Sequence, residues 1–190
     1  GACHGEAYGW ERPNWYAPEG IEARYEYSYG RQNWFEHSAA EHFAVREGVA
    51  LFDLSSFAKF RCEGRDAAGV LNRICANNVD VSVGRVIYTQ WLNELGGIEA
   101  DLTITRLSEN AFLVVTAAET EVRDFYWLKQ HIPETAHCVL TNVTSGMGVL
   151  SIMGPQARAL LQSLSPDDLI HKGFPFATSR EIELGLGYVR

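Results

Sequence analysis

The sequence predicts an α+β fold in which antiparallel sheets pack against helices. Residues 86–92 are rich in β-branched and aromatic residues, and residues 98–106 alternate between apolar and polar side chains. The Gly96-Gly97 pair between them permits a tight connection, so the two runs are predicted to form a hairpin. From residue 111 onward the predicted order is strand, helix, strand, strand, helix, strand, a ferredoxin-like βαββαβ segment in the second half of the chain.

The first 30 residues carry aromatic side chains among glycines and prolines, including Trp10 and Trp15. They have neither helical nor strand periodicity, so we expect an extended segment that lies across another surface and is anchored by its rings.

Four helices are predicted from capping signals and apolar stripes. Ser38 and Glu41 have the spacing of a capping box, and Gly48 is a suitable terminator for the helix that would follow. Pro155 suits the first position of another helix. The predicted helices cover residues 38–47, 66–75, 119–131 and 155–164, and the further predicted strands cover residues 58–62, 111–116, 137–143, 147–153 and 181–189. Between the first helix and the strand at 58–62, Asp53, Ser55 and Ser56 are expected to fix a turn by local hydrogen bonds.

Composition restricts the classes of partner. A formal net charge of −8 argues against nucleic acid, whose phosphates an acidic surface repels. No apolar run is long enough to cross a bilayer, so no membrane partner is expected. We expect a cytoplasmic protein, or a mitochondrial matrix protein if its parent is eukaryotic. An unpaired sheet edge would favour a homo-oligomer.

The four cysteines, Cys3, Cys62, Cys75 and Cys138, form no CxxC motif and share no metal-ligand spacing with histidines. They are interpreted as separate reduced thiols, two of them in the core. The sequence therefore predicts no metal site.

Asp101 is the candidate functional residue of the predicted hairpin. The alternation of its strand puts it on the face opposite Ala100, Leu102 and Ile104, directly after a glycine turn. A carboxylate there can face a cleft while the strand is held rigid by the core. The alternative is a solvated aspartate on a polar strand face, and the pattern alone leaves both open.

Several ordered motifs resemble one family. They are REGVALFDLSSFAKF (46–60), LNELGGIEADLTITRL (92–107), AFLVVTAA (111–118) and MGPQARALL (153–161). Together they resemble the tetrahydrofolate-binding aminomethyltransferases, of which the glycine-cleavage T-protein is the best-known member. The resemblance is greatest to the folate-binding half of sarcosine and dimethylglycine dehydrogenases, in which GWERPNW (9–15) and YGRQNW (29–34) resemble the segment that follows the flavin domain.

This resemblance implies a domain organisation and a reaction. Residues 1–33 would be an extended linker segment, and residues 34–190 the N-terminal portion of an aminomethyltransferase-like folate-binding domain, incomplete at its C-terminal end. FAD would bind an upstream domain of a longer parent enzyme and oxidise an N-methyl amine. The folate half would bind tetrahydrofolate, which accepts the one-carbon unit to give methylene-tetrahydrofolate, and the isolated chain would be inactive.

The resemblance also implies site residues. Asp101 corresponds to the aspartate that lies against the folate and supports transfer, and further folate contacts correspond to Phe57, Tyr88, Leu113 and Val115. A core role is the alternative for each of these four. Two differences from the family pattern matter: Ser56 stands where the T-protein has a histidine, and a Tyr-x-Gly-Glu segment, whose glutamate holds the pterin, is not among these residues.

Two other hypotheses are kept. The chain could come from a flavin-free T-protein-like aminomethyltransferase or a folate-dependent demethylase, or it could be a non-catalytic folate-binding or assembly module. No GxGxxG fingerprint is present, so the chain itself has no predicted dinucleotide site.

Overall fold

A computed structural model describes residues 1–190 and gives four α-helices and eleven strands. The helices are α1 (Phe35–Glu47), α2 (Ala67–Ile74), α3 (Glu121–Gln130) and α4 (Ala157–Leu164). The strands are β1 (Ala2–Ala7), β2 (Trp10–Tyr16), β3 (Ala50–Asp53), β4 (Ala58–Glu63), β5 (Val86–Leu92), β6 (Ile98–Ser108), β7 (Ala111–Thr116), β8 (Val139–Asn142), β9 (Leu150–Met153), β10 (Ile182–Leu184) and β11 (Gly187–Val189). All strand pairs are antiparallel, so the predicted α+β class with antiparallel sheets is confirmed.

The chain divides into two compact units, the first formed by residues 1–53 and 150–161. Its first element is a hairpin of β1 and β2, which the sequence pattern did not predict. Tyr8 and Gly9 make the turn with positive φ angles of 56° and 82°. Trp15 is buried and stacks on the ring of His37, with ring centroids 5.6 Å apart. Alternation does not reveal these strands because the register shifts between Cys3 and His4, and a bulge interrupts the period of two.

Helix α1 of the first unit begins earlier than predicted. The backbone N–H of Ser38 donates to the carbonyl of Trp34 at 3.0 Å, so Ser38 lies inside the helix and forms no capping box. The guanidinium of Arg31 lies 4.4 Å from the ring centroid of Phe35 and covers the first turn instead. The predicted terminator is confirmed, since the N–H of Gly48 donates to Ala44 at 2.8 Å.

The second unit comprises residues 54–149 and 162–190. It contains a five-stranded sheet of order β5-β6-β7-β4-β8. Within it, the series β4-α2-β6-β7-α3-β8 has the spatial strand order β8-β4-β7-β6, which is the ferredoxin-like arrangement with β5 added at one edge.

The predicted βαββαβ order from residue 111 is present along the chain, but its strands do not share one sheet. The ferredoxin-like unit begins at β4 and not at β7. Strand β9 pairs with β3, and β10 pairs with β11. The predicted strand over residues 181–189 is in fact this β10–β11 hairpin, because Gly185 takes a φ of 60° and reverses the chain after three residues.

Helices α2 and α3 cover one face of the sheet and form the main core with it. The predicted stripe of α2 is confirmed, since Ala67, Val70, Leu71 and Ile74 are all buried. Leu128 of α3 is fully buried in the same cluster, and the other large members come from alternate strand positions. These strand residues include Phe60, Trp91, Leu102, Ile104, Phe112 and Val114. Among all the helices, none combines the length and the apolar character that a bilayer crossing requires.

Replacement of Leu71 by alanine tests the predicted helix stripe. Leu71 has no exposed surface and lies within the main core. The change should lower the free energy of unfolding by about 2–5 kcal/mol, because it leaves a cavity. Val122→Ala on α3 is the matched control, because this side chain is 70% exposed. Its effect on the free energy of unfolding should stay within about 0.5 kcal/mol. Urea denaturation of both variants measures the difference, and equal losses would contradict the core assignment.

Candidate functional site

The second face of the five-stranded sheet displays the side chains that alternate with the core residues. Register puts Asp101 of β6 directly opposite Gln90 of β5. Two residues further along β6, Thr103 lies opposite Tyr88 of β5 and, on its other side, opposite Val115 of β7. Side chains directly opposite in antiparallel strands, and those two positions apart, share one face. These five residues therefore form one continuous patch, which we call the β5–β7 patch.

The carboxylate of Asp101 is held from both sides within the β5–β7 patch. The hydroxyl of Tyr88 donates to Oδ2 at 2.8 Å, and the side-chain amide of Gln90 donates to Oδ1 at 3.0 Å. Two donors from the neighbouring strand thus fix the plane of the carboxylate. Asp101 is exposed, and Tyr88 is 62% exposed, so the group is oriented but open to solvent.

The hydrogen bond raises the pKa of the Tyr88 phenol above its usual 10.0. The first cause is the bond to Asp101, which favours the protonated hydroxyl as donor, and partial desolvation and the nearby negative charge act in the same direction. Tyr88 therefore remains a donor to the carboxylate over the whole physiological pH range.

A hollow of about 580 Å³ lies on the same face, further along the strands. Leu113 of β7, which is buried, forms part of its wall, with Arg61 of β4 and Met147. Its other lining residues are Leu107, Ser108, Ala111, Glu181, Tyr188, Val189 and Arg190. Arg61 and Met147 also line a second hollow of about 410 Å³, so the two are neighbours.

The hollow and the Asp101 carboxylate are separate features. Leu113 lies opposite Thr105, which is four residues beyond Asp101 on β6. At about 3.3 Å per residue, the separation along the strand is roughly 13 Å. Neither hollow is lined by Asp101.

Of the five residues that the resemblance implies, four share this face and one does not join them. Tyr88 and Asp101 are hydrogen-bonded, Val115 is a member of the same patch, and Leu113 leads into the hollow. Phe57 is half-buried in the turn before β4, where its N–H donates to the carbonyl of Leu54 at 3.0 Å, and it lines neither hollow.

Two polar residues of this face were missed by the sequence reasoning. Gln90 is the second donor to Asp101, and the alternation of β5 with the hairpin register could have indicated it. Lys59 of β4 lies opposite Val115 in the sheet, is buried, and donates from Nζ to the carbonyl of Ser55 at 2.8 Å. No sequence signal indicated a buried lysine here, because its burial depends on the turns that cover it.

Comparison with known proteins finds similar sequences along the whole chain. A family profile described as the GCVT N-terminal domain matches residues 1–190. The 4-methylaminobutanoate oxidase (formaldehyde-forming) of Paenarthrobacter nicotinovorans is 43% identical over 188 residues, which cover 99% of this chain and 23% of that protein. The mitochondrial dimethylglycine dehydrogenase of Homo sapiens is 34% identical over 177 residues, which cover 93% of this chain and 20% of that protein. The chain thus spans less than a quarter of either relative.

Among solved structures, the glycine cleavage system aminomethyltransferase T of Bartonella henselae superposes with a TM-score of 0.70 at 27% identity. The match covers 86% of this chain and 40% of that one. The antiparallel sheets and packed helices described above are therefore shared with an aminomethyltransferase.

Asp101→Asn tests whether the hydrogen bond to Asp101 raises the pKa of Tyr88. The amide removes the negative charge and weakens the acceptor, so the pKa of Tyr88 should fall toward its ordinary value of 10.0. The raised pKa of Tyr88 in the folded state also stabilises the fold below pH 10. This contribution to the free energy of unfolding is lost as the pH rises through the raised pKa. Ultraviolet difference titration measures the phenolate, with Tyr88→Phe used to assign the signal. An unchanged titration in the Asp101 variant would contradict the hydrogen bond.

Proposed function

Because the chain belongs to the GCVT N-terminal domain family, we propose that it is the tetrahydrofolate-binding part of a longer one-carbon enzyme of the dimethylglycine and sarcosine dehydrogenase type. In this proposal the folate accepts the one-carbon unit released from an N-methyl amine and becomes methylene-tetrahydrofolate. The whole protein's activity is proposed, since the chain spans 20% of the dimethylglycine dehydrogenase that it matches.

The observation that carries the proposal is the fixed carboxylate of Asp101. A carboxylate offers about four acceptor positions, and Tyr88 and Gln90 occupy two of them. The remaining positions face solvent and are free to accept an amine N–H of a ligand. A carboxylate that is already oriented needs little rearrangement when it meets developing positive charge.

The residues present fit a folate. A pterin ring is flat and rich in N–H donors, and the β5–β7 patch offers it a carboxylate beside the ring of Tyr88 and the aliphatic side chain of Val115. A folate is also elongated, and the hollow at Leu113 begins roughly 13 Å along the same face. A volume of about 580 Å³ is within the range of small-ligand sites, which run from about 300 to 1,000 Å³. Phe57 remains a proposed contact.

The roles of the chain's own residues follow from this geometry. Asp101 accepts a hydrogen bond from a folate amine and stabilises positive charge during exchange of the C–N bond. Tyr88 and Gln90 hold the carboxylate plane and leave its other acceptor positions to a ligand. Val115 and Leu113 supply apolar walls against which a ring can pack.

The remaining parts of the proposal concern the parent protein. FAD is assigned to a domain outside these residues, and the substrate is an N-methyl amine. The isolated chain is proposed to be inactive, with at most a partial folate site. One relative is named as mitochondrial, which is consistent with a matrix location for a eukaryotic parent.

Asp101→Ala in the full-length protein tests the proposed role. With an N-methyl amine and tetrahydrofolate supplied, the rate of methylene-tetrahydrofolate formation should fall by about 100-fold. The rate of amine oxidation should be unchanged, because that step belongs to another domain. Tyr88→Phe and Gln90→Leu each remove one donor to the carboxylate and should give smaller losses.

Glu94→Gln is the matched control for charge, since Glu94 is an exposed acid at the tip of the same hairpin. It should leave both rates unchanged. Equal methylene-tetrahydrofolate yields from the Asp101 variant and the parent would refute the role of Asp101.

A flavin-free aminomethyltransferase is the second candidate, favoured by the superposition on the Bartonella henselae enzyme. The two candidates differ in one property of the full-length protein. Flavin absorbance in the purified protein would support the dehydrogenase proposal, whereas a colourless protein that transfers a one-carbon unit to tetrahydrofolate would support the transferase.

A further inference from the structure

Two of the four cysteines face each other at the edge of the five-stranded sheet. The sulfur atoms of Cys62 on β4 and Cys138, directly before β8, are 3.1 Å apart. Formation of a disulfide bond requires about 2.05 Å, so the two atoms need to approach by only about 1 Å. The sequence interpretation treated the four thiols as separate. All four are free thiols in the structure, and this pair is in contact.

The two backbone segments that carry the pair are held close together by their neighbours. Gly64 follows Cys62 closely and has a φ of 140°, and a Cβ atom on it would lie 2.0 Å from the carbonyl oxygen of His137. Only glycine allows the two segments to approach this closely. The N–H of His137 also donates to the carboxylate of Asp66 at 2.7 Å, which anchors the residue before Cys138.

The two thiols differ in access. Cys62 has no exposed surface, whereas Cys138 is half-buried and lines a hollow of about 340 Å³. Lys129 of α3 and Glu134 line the same hollow, so one basic and one acidic side chain border the approach to Cys138. The arrangement gives one approachable sulfur in contact with one fully buried sulfur.

The pKa values of the two thiols also differ, and the more accessible Cys138 has the lower pKa. The hydrogen bond between the two sulfur atoms lowers the pKa of Cys138, and the same bond, with burial, raises the pKa of Cys62. Cys75 is a contrast within the chain, because burial raises its pKa to about 12. Thiolate character and access, which together control cysteine reactivity, therefore coincide at Cys138.

We propose that Cys138 and Cys62 form an oxidation site, in which Cys138 reacts with a hydroperoxide and Cys62 then closes a disulfide bond. In the first step the Cys138 thiolate attacks one peroxide oxygen. An S–O bond forms, the O–O bond breaks, and the leaving hydroxide or alkoxide takes up a proton. Sulfur is oxidised by two electrons and the peroxide is reduced.

In the second step the sulfur of Cys62 attacks the sulfenic acid at Cys138. The S–S bond forms, the S–O bond breaks, and water leaves with the proton that Cys62 loses. The product joins positions 76 residues apart and ties the start of β8 to β4. A disulfide that closes a long loop restricts the unfolded chain, so the oxidised protein should unfold at a higher temperature.

The proposal is tested on the full-length protein by hydrogen peroxide treatment, alkylation of the remaining thiols, and peptide mapping. The expected product is a peptide pair linked through Cys62 and Cys138. Cys138→Ser should abolish the link, and Cys62→Ser should leave a sulfenic acid at Cys138 that a cyclic diketone traps. Cys75→Ser is the matched control and should leave the link unchanged. Before oxidation, Cys138 should be alkylated at least about tenfold faster than Cys62.

The wild-type protein alone gives an independent result if a variant fails to fold. Oxidation under native conditions should give the Cys62–Cys138 link, and oxidation in denaturant should also pair these cysteines with others. The proposal is overturned if Cys75 or Cys3 is oxidised first under native conditions, if Cys138 proceeds to sulfinic acid without forming the link, or if native and denatured pairings are the same.

Discussion

The antiparallel register between β5 and β6 is the constraint on which the candidate site depends. It puts Asp101 opposite Gln90 and Thr103 opposite Tyr88, and so brings two donors to one carboxylate. Because side chains in a strand alternate between faces, a slip of one residue would turn Asp101 into the core and expose Leu102. The same register therefore holds the apolar core together and displays the carboxylate, and burial of Leu102 and Ile104 stabilises both.

The hydrogen bonds to Asp101 contribute orientation more than stability. Tyr88 and Asp101 are exposed, and polar contacts at an exposed surface add little to the free energy of folding. Their value lies in keeping a carboxylate in one plane on a strand that the core already immobilises. This arrangement suits a group that must meet a ligand without reorganising, and the neighbouring Val115 adds an apolar surface beside it.

The ferredoxin-like unit explains why one face of the sheet is available for a ligand. Both of its helices, α2 and α3, pack on the face that carries Phe60 and Val114. Nothing in that arrangement requires the opposite face to be covered by a helix, and turns and short strands meet it instead. The buried Lys59 and the hollow at Leu113 lie there, so the polar and irregular features of the unit are concentrated on one side.

Residue order was enough to predict many of the local elements and the face on which the residues of β6 lie. The hairpin of β5 and β6, the stripe of α2 and the strand β7 follow from periodicities of 2 and 3.6 residues, which burial imposes directly on residue order. The alternation of the second strand singled out Asp101 and put it opposite the apolar side chains, and the resemblance added Tyr88. Three facts follow from the tertiary structure alone: which strands share a sheet, the departure of β9 and β10 from it, and the burial of Lys59 on the face that displays Asp101. The tertiary structure also decided that Cys62 meets Cys138 across 76 positions of sequence. These facts depend on pairing between distant segments, and no local pattern records which distant partner a strand, a turn or a thiol will meet.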